Sequence, residues 1–209
     1  MRIISRRAAV TLIAGSAALP LASPRALALP AEVTKDQILN DPDAPVSGNP
    51  KGDVTIVAFF DYNCPYCKKS APDLERIVRE DAKIRLVYKD WPILTEASVY
   101  GAQLALAAKY QGKYETVHLA LMGIPGHRVG REEMAEAVRA SDIDRDRLNR
   151  DLAAHAADIA ALLKRNLAQA DALGLRGTPT FLIGPFMSST LDYAGFKQVV
   201  ADARARGGR

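Results

Sequence analysis

The sequence predicts an α/β fold: one sheet assembled from a β-α-β piece and a later β-β-α piece, with an α-helical domain inserted between them. Three observations predict it. VTIVAFF (54–60) and KIRLVYK (83–89) are β-branched and aromatic runs on either side of a helical stretch, and a strand–helix–strand unit places its two strands parallel. From Thr95 to about Leu173 the chain is rich in Ala and Leu at helical spacing. A Gly177-Thr178-Pro179 turn then opens a short apolar run, TFLI (180–183), and the chain closes on an amphipathic segment.

Element by element, Thr34 to Asn40 (TKDQILN) reads as a short helix, followed by a turn-rich leader, DPDAPVSGNPKGD. Val54 to Phe60 is apolar at successive positions, so both of its faces are predicted to be buried, as in a central strand. Pro65 suits a first helical position, and the helix it opens runs to about Glu80 with Leu74, Ile77 and Val78 facing inward. Pro72 lies inside that helix and predicts a kink, because it removes a backbone donor. Helices are predicted next at Thr95–Tyr110, Gly112–Met122 and, after the turn IPGHRVG, Arg131–Ala140. One or two more fill Asp144 to Leu173, stopped by Gly174. Ser188 to Leu191 is predicted to pair with TFLI as a hairpin. Asp192 caps a last helix to Ala205. This organisation divides the chain into a leader (29–53), a core (54–92 and 176–206) and a helical insertion (93–175), with no internal repeat.

The N-terminus reads differently. Arg2, Arg6 and Arg7 precede a short apolar run, Ala8 to Leu19, and Ala26-Leu27-Ala28 fits a signal-peptidase site, which is the layout of a secretory signal peptide cleaved near Ala28. Ser5-Arg6-Arg7 also resembles a twin-arginine signal, but the residues after it match that signal weakly, so the general secretory route is the better fit. Removing residues 1–28 takes away four arginines and no acids, and the formal net charge falls from +4 to zero. The basic balance belongs to the export signal, and the mature chain has no whole-chain electrostatic reason to seek nucleic acid or an anionic membrane. The expected location is the periplasm.

Cys64 and Cys67, in FFDYNCPYCKK, are the only cysteines. Export places them where thiols are oxidised. A disulfide closing so short a loop contributes little stability, so the pair points to chemistry. At a helix start, unpaired N–H groups and the positive dipole end favour a thiolate. Cys64 is then the expected nucleophile, in the more exposed place, and Cys67 the resolving thiol one turn further in. Lys68 and Lys69 add positive charge expected to lower the Cys64 pKa further. Other uses of two sulfurs fit less well. Zinc wants more ligands, and His118, His127 and His155 are scattered without metal spacing, each read as a surface or satisfied histidine. Lys68 stands where a haem motif needs histidine. No metal site is predicted; copper(I) on the two thiolates alone remains a competing role, as a chaperone.

F-x-x-x-C-P-Y-C-K together with the downstream G-T-P-T-F resembles a DsbA-type thiol:disulfide oxidoreductase of the thioredoxin superfamily, over nearly all of the mature chain. The resemblance implies a thioredoxin fold, a Cys64–Cys67 redox disulfide and a cis proline at Pro179 beside it. It implies that Pro65, Tyr66, Thr178 and Pro179 tune the potential, and that Tyr66, Thr178 and Pro179 take the substrate segment as an added strand. Many relatives carry a buried acid six residues before the nucleophile; here that position is Ala58, and Asp61 is the nearest acid in sequence. The expected activity introduces disulfides into unfolded or reduced exported proteins. It needs no diffusible cofactor, and a DsbB-like membrane protein recharges a monomeric enzyme. C-P-Y-C with threonine before the proline also resembles the DsbG and ScsC groups, which implies the alternative of an isomerase or reductase kept reduced by a DsbD-like partner.

Overall fold

A computed structural model describes residues 33–208. The expected signal peptide, with its cleavage site near Ala28, lies outside the described residues. The chain begins with α1 (Lys35–Leu39), whose start is fixed by a reciprocal cap: Thr34 accepts from the Gln37 N–H and the Gln37 side chain accepts from the Thr34 N–H. Then come β1 (Val46–Gly48), β2 (Val54–Phe60), α2 (Pro65–Asp81) and β3 (Ile84–Asp90). The helical block is α3 (Glu96–Ala108), α4 (Tyr114–Met122), α5 (Arg131–Arg139), α6 (Arg145–Ala154) and α7 (Ala156–Ala172). The last piece is β4 (Thr180–Ile183), β5 (Phe186–Ser188) and α8 (Tyr193–Ala205), the helix capped by Asp192 as expected.

The strands form one sheet in the order β1-β3-β2-β4-β5. β2 runs parallel to β3, from Val54 opposite Ile84 to Phe60 opposite Asp90, and antiparallel to β4, where Phe59 faces Thr180. β2 is therefore central, and period-two alternation explains its unbroken apolar run. Val54, Ile56, Ala58 and Phe60 join a core with Leu74, Ile77 and Val78 of α2, Phe196 and Val200 of α8, and residues of α3 to α6. Val57 and Phe59 point to the opposite face, where Ile38, Val87, Trp91 and Ala170 cover them. The inserted helices thus share the sheet's core, and residues 33–208 pack as a single unit. α2 is assigned unbroken through Pro72.

Two expectations fail. The leader carries only turn signals in its sequence, yet Val46–Gly48 is an edge strand antiparallel to β3. Gly48 ends it at φ +70, where a Cβ would sit 2.5 Å from the Ile84 carbonyl oxygen, so only glycine fits. The hairpin partner of β4 is Phe186–Ser188 instead of Ser188–Leu191. Gly184, at φ +56, and Pro185 turn the chain tightly enough that Ile183 faces Phe186.

Candidate active site

The register between β2 and β4 decides where the chemistry sits. Because Phe59 faces Thr180, the loop leaving β2 toward Cys64 lies beside the turn entering β4. Cys64 and Thr178, which are 114 residues apart, meet there with Cys64 Sγ 3.1 Å from the Thr178 carbonyl oxygen. The Thr178–Pro179 bond is cis, as the resemblance implied, and Pro179 is buried. Thr180 Oγ1 donates to the Gly177 carbonyl at 2.8 Å and closes the turn.

Cys64 is the N-cap of α2, with Pro65 in the first turn, and its Sγ accepts from the Cys67 N–H at 3.2 Å. Both cysteines are free thiols here. Hydrogen bonding to the ionised sulfur lowers the Cys64 pKa to about 6: the Cys67 thiol contributes most, then the Thr178 side chain and the N–H groups of Cys67 and Tyr66, against the opposing effect of burial. The Thr178 carbonyl is an acceptor and holds only the protonated sulfur. Cys67 moves the other way: burial, then the adjacent Cys64 sulfur, pushes its thiol far up. One sulfur is poised as a thiolate at neutral pH and its neighbour as a thiol.

Two sequence expectations need correcting. Cys64 is not appreciably more exposed than Cys67; they are 2% and 3% exposed, and Tyr66 between them is the open residue at 61%. Lys68 is not among the main causes that lower the Cys64 pKa. Its ammonium donates to the carbonyls of Ile124 and Gly126, both at 2.8 Å, and so ties α2 to the loop between α4 and α5.

Sequence reasoning missed the residues that hold the loop before Cys64. The Asp61 carboxylate accepts from Asn63 N (2.7 Å), Ser98 Oγ (2.7 Å), Ile93 N (2.8 Å) and Leu94 N (2.9 Å). With four donors it organises the loop after β3 and has no capacity left for the sulfurs. Asn63 donates to Thr95 Oγ1 and the Val129 carbonyl and accepts from the Val129 N–H, which fastens the insertion to the residue before Cys64. Ala58 lines a small, mainly apolar cavity together with Cys67, Tyr88, His118 and Pro179. Of the histidines, His127 is exposed and His155 stacks on Tyr110 at 3.6 Å, whereas His118 is buried against this cavity.

A dithiol of this kind, on the first turn of a helix and facing a cis-proline turn across a mixed sheet, defines the class: a protein thiol–disulfide oxidoreductase of thioredoxin fold. Comparison with known proteins agrees. A family profile described as Thioredoxin matches residues 40–202, and the chain belongs to that family. A thioredoxin-like oxidoreductase from Silicibacter pomeroyi is 40% identical with a TM-score of 0.76, the match covering 83% of this chain and 99% of that one. The thiol-disulfide exchange protein alpha-DsbA2 from Wolbachia pipientis is 30% identical with a TM-score of 0.75, over 80% and 90% of the two chains. The catalytic domain of Proteus mirabilis ScsC is 26% identical with a TM-score of 0.72, over 81% and 94%. Among curated sequences, the Na(+)/H(+) antiporter NhaA 3 of Salinispora tropica is 30% identical over 181 residues, 81% of this chain and 27% of that protein. The chain therefore spans about a quarter of the length of the curated relatives it matches. Among the described residues no helix is long and apolar enough to cross a membrane.

Proposed function

We propose that this protein introduces disulfides into unfolded or reduced exported proteins, using the Cys64–Cys67 pair as the donated disulfide. A substrate thiolate attacks Cys64 Sγ, and Cys67 leaves with the electron pair and takes up a proton. A second substrate thiolate then attacks the substrate sulfur of the mixed disulfide, and Cys64 departs as a thiolate. The substrate is oxidised by two electrons and the dithiol reduced by two; a DsbB-like membrane partner recharges it. The substrate segment lies along Thr178 and Pro179 as an added strand, with the exposed Tyr66 against it. The amino-terminal layout and the likeness to a periplasmic thioredoxin-like protein of Salmonella enterica, 27% identical, support a periplasmic site of action.

The observation that supports the exchange reading is the place of Cys64: its Sγ caps the first turn of α2 and accepts from the Cys67 N–H at 3.2 Å, and hydrogen bonding lowers its pKa to about 6. A stabilised thiolate is a good leaving group and makes the disulfide the less stable partner of the couple. Equilibration with glutathione is expected to give a potential near that of DsbA, about −120 mV, and not the lower values of protein disulfide isomerase, about −180 mV, or thioredoxin, about −270 mV. Alkylation of free thiols in acid-quenched cells is expected to find the pair mostly oxidised. A mostly reduced pair would reverse the direction and favour an isomerase or reductase fed by a DsbD-like partner, the reading that the ScsC likeness supports. Tight copper(I) retention with no thiol exchange would replace both. Among the described residues, no cluster of three or more His, Cys, Asp and Glu side chains is placed to hold a metal ion.

A further inference from the structure

Resting on the thiol-exchange reading, we propose that the rim of the dithiol is a cationic docking surface, built by Lys69, Arg128 and Arg176, that selects extended polypeptide substrates with acidic residues beside the reactive cysteine.

Four segments from distant parts of the chain make up this rim. The first is the start of α2, where Lys69 is exposed two residues after Cys67. The second is the loop between α4 and α5 (123–130). Asn63, the residue before Cys64, donates to the Val129 carbonyl at 3.1 Å and accepts from the Val129 N–H at 2.8 Å. Lys68, the residue after Cys67, donates to the Ile124 and Gly126 carbonyls. The loop is thus fastened at both ends to residues that flank the dithiol, and His127 and Arg128 are exposed between those ends. The third segment is the turn that enters β4. Its Thr178 carbonyl is 3.1 Å from Cys64 Sγ, and Arg176 is exposed two residues earlier. The Cα atoms of Arg176 and Thr178 are therefore no more than about 8 Å apart. The fourth is the loop after β3 (91–95). The Ile93 and Leu94 N–H groups hold it to Asp61, and Thr95 Oγ1 accepts from Asn63.

Charge on these segments is one-sided. YNCPYCKK (62–69), WPILT (91–95), GIPGHRVG (123–130) and GLRGTP (174–179) carry Lys68, Lys69, Arg128 and Arg176 and no acid. The chain after residue 28 has no net formal charge, so the excess is local. The acids that adjoin these segments are already engaged. Asp61 is buried under four donors, and Glu133 accepts from the Gly130 N–H at 2.7 Å. Glu96 and Glu132 sit in the first turns of α3 and α5, where they offset the helix dipoles. Among the described residues Lys69, Arg128 and Arg176 form no ion pair, unlike Arg76, Arg139 and Arg204. Their charge is free to act on a partner. An acidic segment is drawn in over roughly a Debye length, about 10 Å at 0.1 M salt, and a basic one is repelled, so the rim acts on encounter while the two cysteines perform the exchange.

The apolar members of the rim favour a polypeptide over a small anionic thiol. Tyr66, Ile93 and Leu94 lie on the same segments and are 61%, 42% and 50% exposed. A small thiol would meet the cations and leave these side chains uncovered, whereas an unfolded segment brings apolar and acidic side chains together.

The test uses the intact protein in its Cys64–Cys67 disulfide form. Its substrates are two-cysteine peptides with apolar residues between the cysteines, identical except that Glu, Gln or Lys flanks the first cysteine. Each peptide loses two electrons and two protons as its disulfide forms, the Cys64–Cys67 pair gains them, and quenched samples are resolved by mass. Flanking charge also alters the peptide thiol itself, so each rate is divided by that peptide's rate with uncharged bis(2-hydroxyethyl) disulfide. At about 20 mM salt the Glu peptide should outrun the Lys peptide by about tenfold or more, and the ratio should shrink toward one at about 0.5 M. In a Lys69→Gln, Arg128→Gln, Arg176→Gln variant, with its fold confirmed by circular dichroism, the low-salt ratio should fall close to one. A ratio near one in the parent, or an unchanged ratio in the variant, overturns the docking surface. So does an equal slowing of all three peptides with the ratio kept, which would place the effect of the cations on Cys64. Replacing the apolar residues of the Glu peptide by Gly and Ser without loss of rate overturns the choice of a polypeptide and makes the partner a small anionic thiol. If none of the peptides is oxidised, the exchange reading itself fails, a different result from any of these.

Discussion

Cys64 illustrates what one residue's surroundings can do. Its pKa of about 6 is depressed, so the stability it lends the reduced protein is complete above the unfolded thiol's pKa and is lost as pH falls through 6. Between about pH 6 and 8.5 the reduced form should therefore gain stability relative to a Cys64→Ser variant, by roughly 2–4 kcal/mol. The absorbance of the thiolate near 240 nm is expected to titrate with a midpoint close to 6. Cys67→Ala removes the largest hydrogen bond to the sulfur and should move that midpoint upward; an unmoved midpoint would mean that the helix N–H groups alone set it. The helix-start position of the dithiol and the cis bond at Pro179 were legible in the sequence, because C-x-x-C and Gly-Thr-Pro are local patterns. The contacts of Asn63, Lys68 and His118 were not, since their partners lie 32 or more residues away and nothing in the local sequence marks the pairing.

Elements were legible where their signal was internal. β2 and β4 were placed to the residue, and α2 to within one, because apolar runs and Pro65 mark them. β1 was missed since three residues, two of them exposed, carry no periodicity, and only pairing to β3 makes them a strand. The same non-local logic governs the loop between β3 and α3. Its N–H groups at Ile93 and Leu94 have the Asp61 carboxylate as acceptor, and Ser98 at the start of α3 donates to it as well. Asp61→Ala would leave these donors and the Asn63 N–H without that acceptor. The expected cost is about 3–5 kcal/mol in urea unfolding, with faster amide exchange at residues 93 and 94. Asp61→Asn, which keeps one acceptor oxygen but turns an amide N–H toward donors, should lie between it and the parent. Equal stability of all three would mean that water replaces the carboxylate, and that Asp61 does not organise the site.

At the scale of the molecule, the question is what fixes the leader and the insertion to a sheet that neither belongs to by sequence. A buried charge cluster does this on the face away from α2. Asp41, just after α1, accepts from Arg165 of α7 through Nε and a terminal nitrogen, both at 2.9 Å, and pairs with Lys89 of β3 at 3.4 Å; Arg165 also reaches Asp43 at 2.8 Å. Burial alone would raise the Asp41 pKa, but Arg165 and Lys89 outweigh it and hold the carboxyl below its ordinary value. Lys89 is the vulnerable member, because its side chain is fully buried. Removing its partner strands a charge in the core, whereas removing both leaves an apolar site. Asp41→Leu is therefore expected to cost about 3–5 kcal/mol, and Asp41→Leu with Lys89→Met to recover most of it. Arg165→Met should be milder, since Arg165 is partly exposed and its loss leaves Asp41 with Lys89. The cluster lies across the sheet from the dithiol, so all three variants should keep the Cys64 titration midpoint while their unfolding midpoints separate. A shifted thiolate midpoint in any of them would mean that the leader and the insertion hold the active-site loop through the sheet, and that stability and redox poise in this protein are coupled.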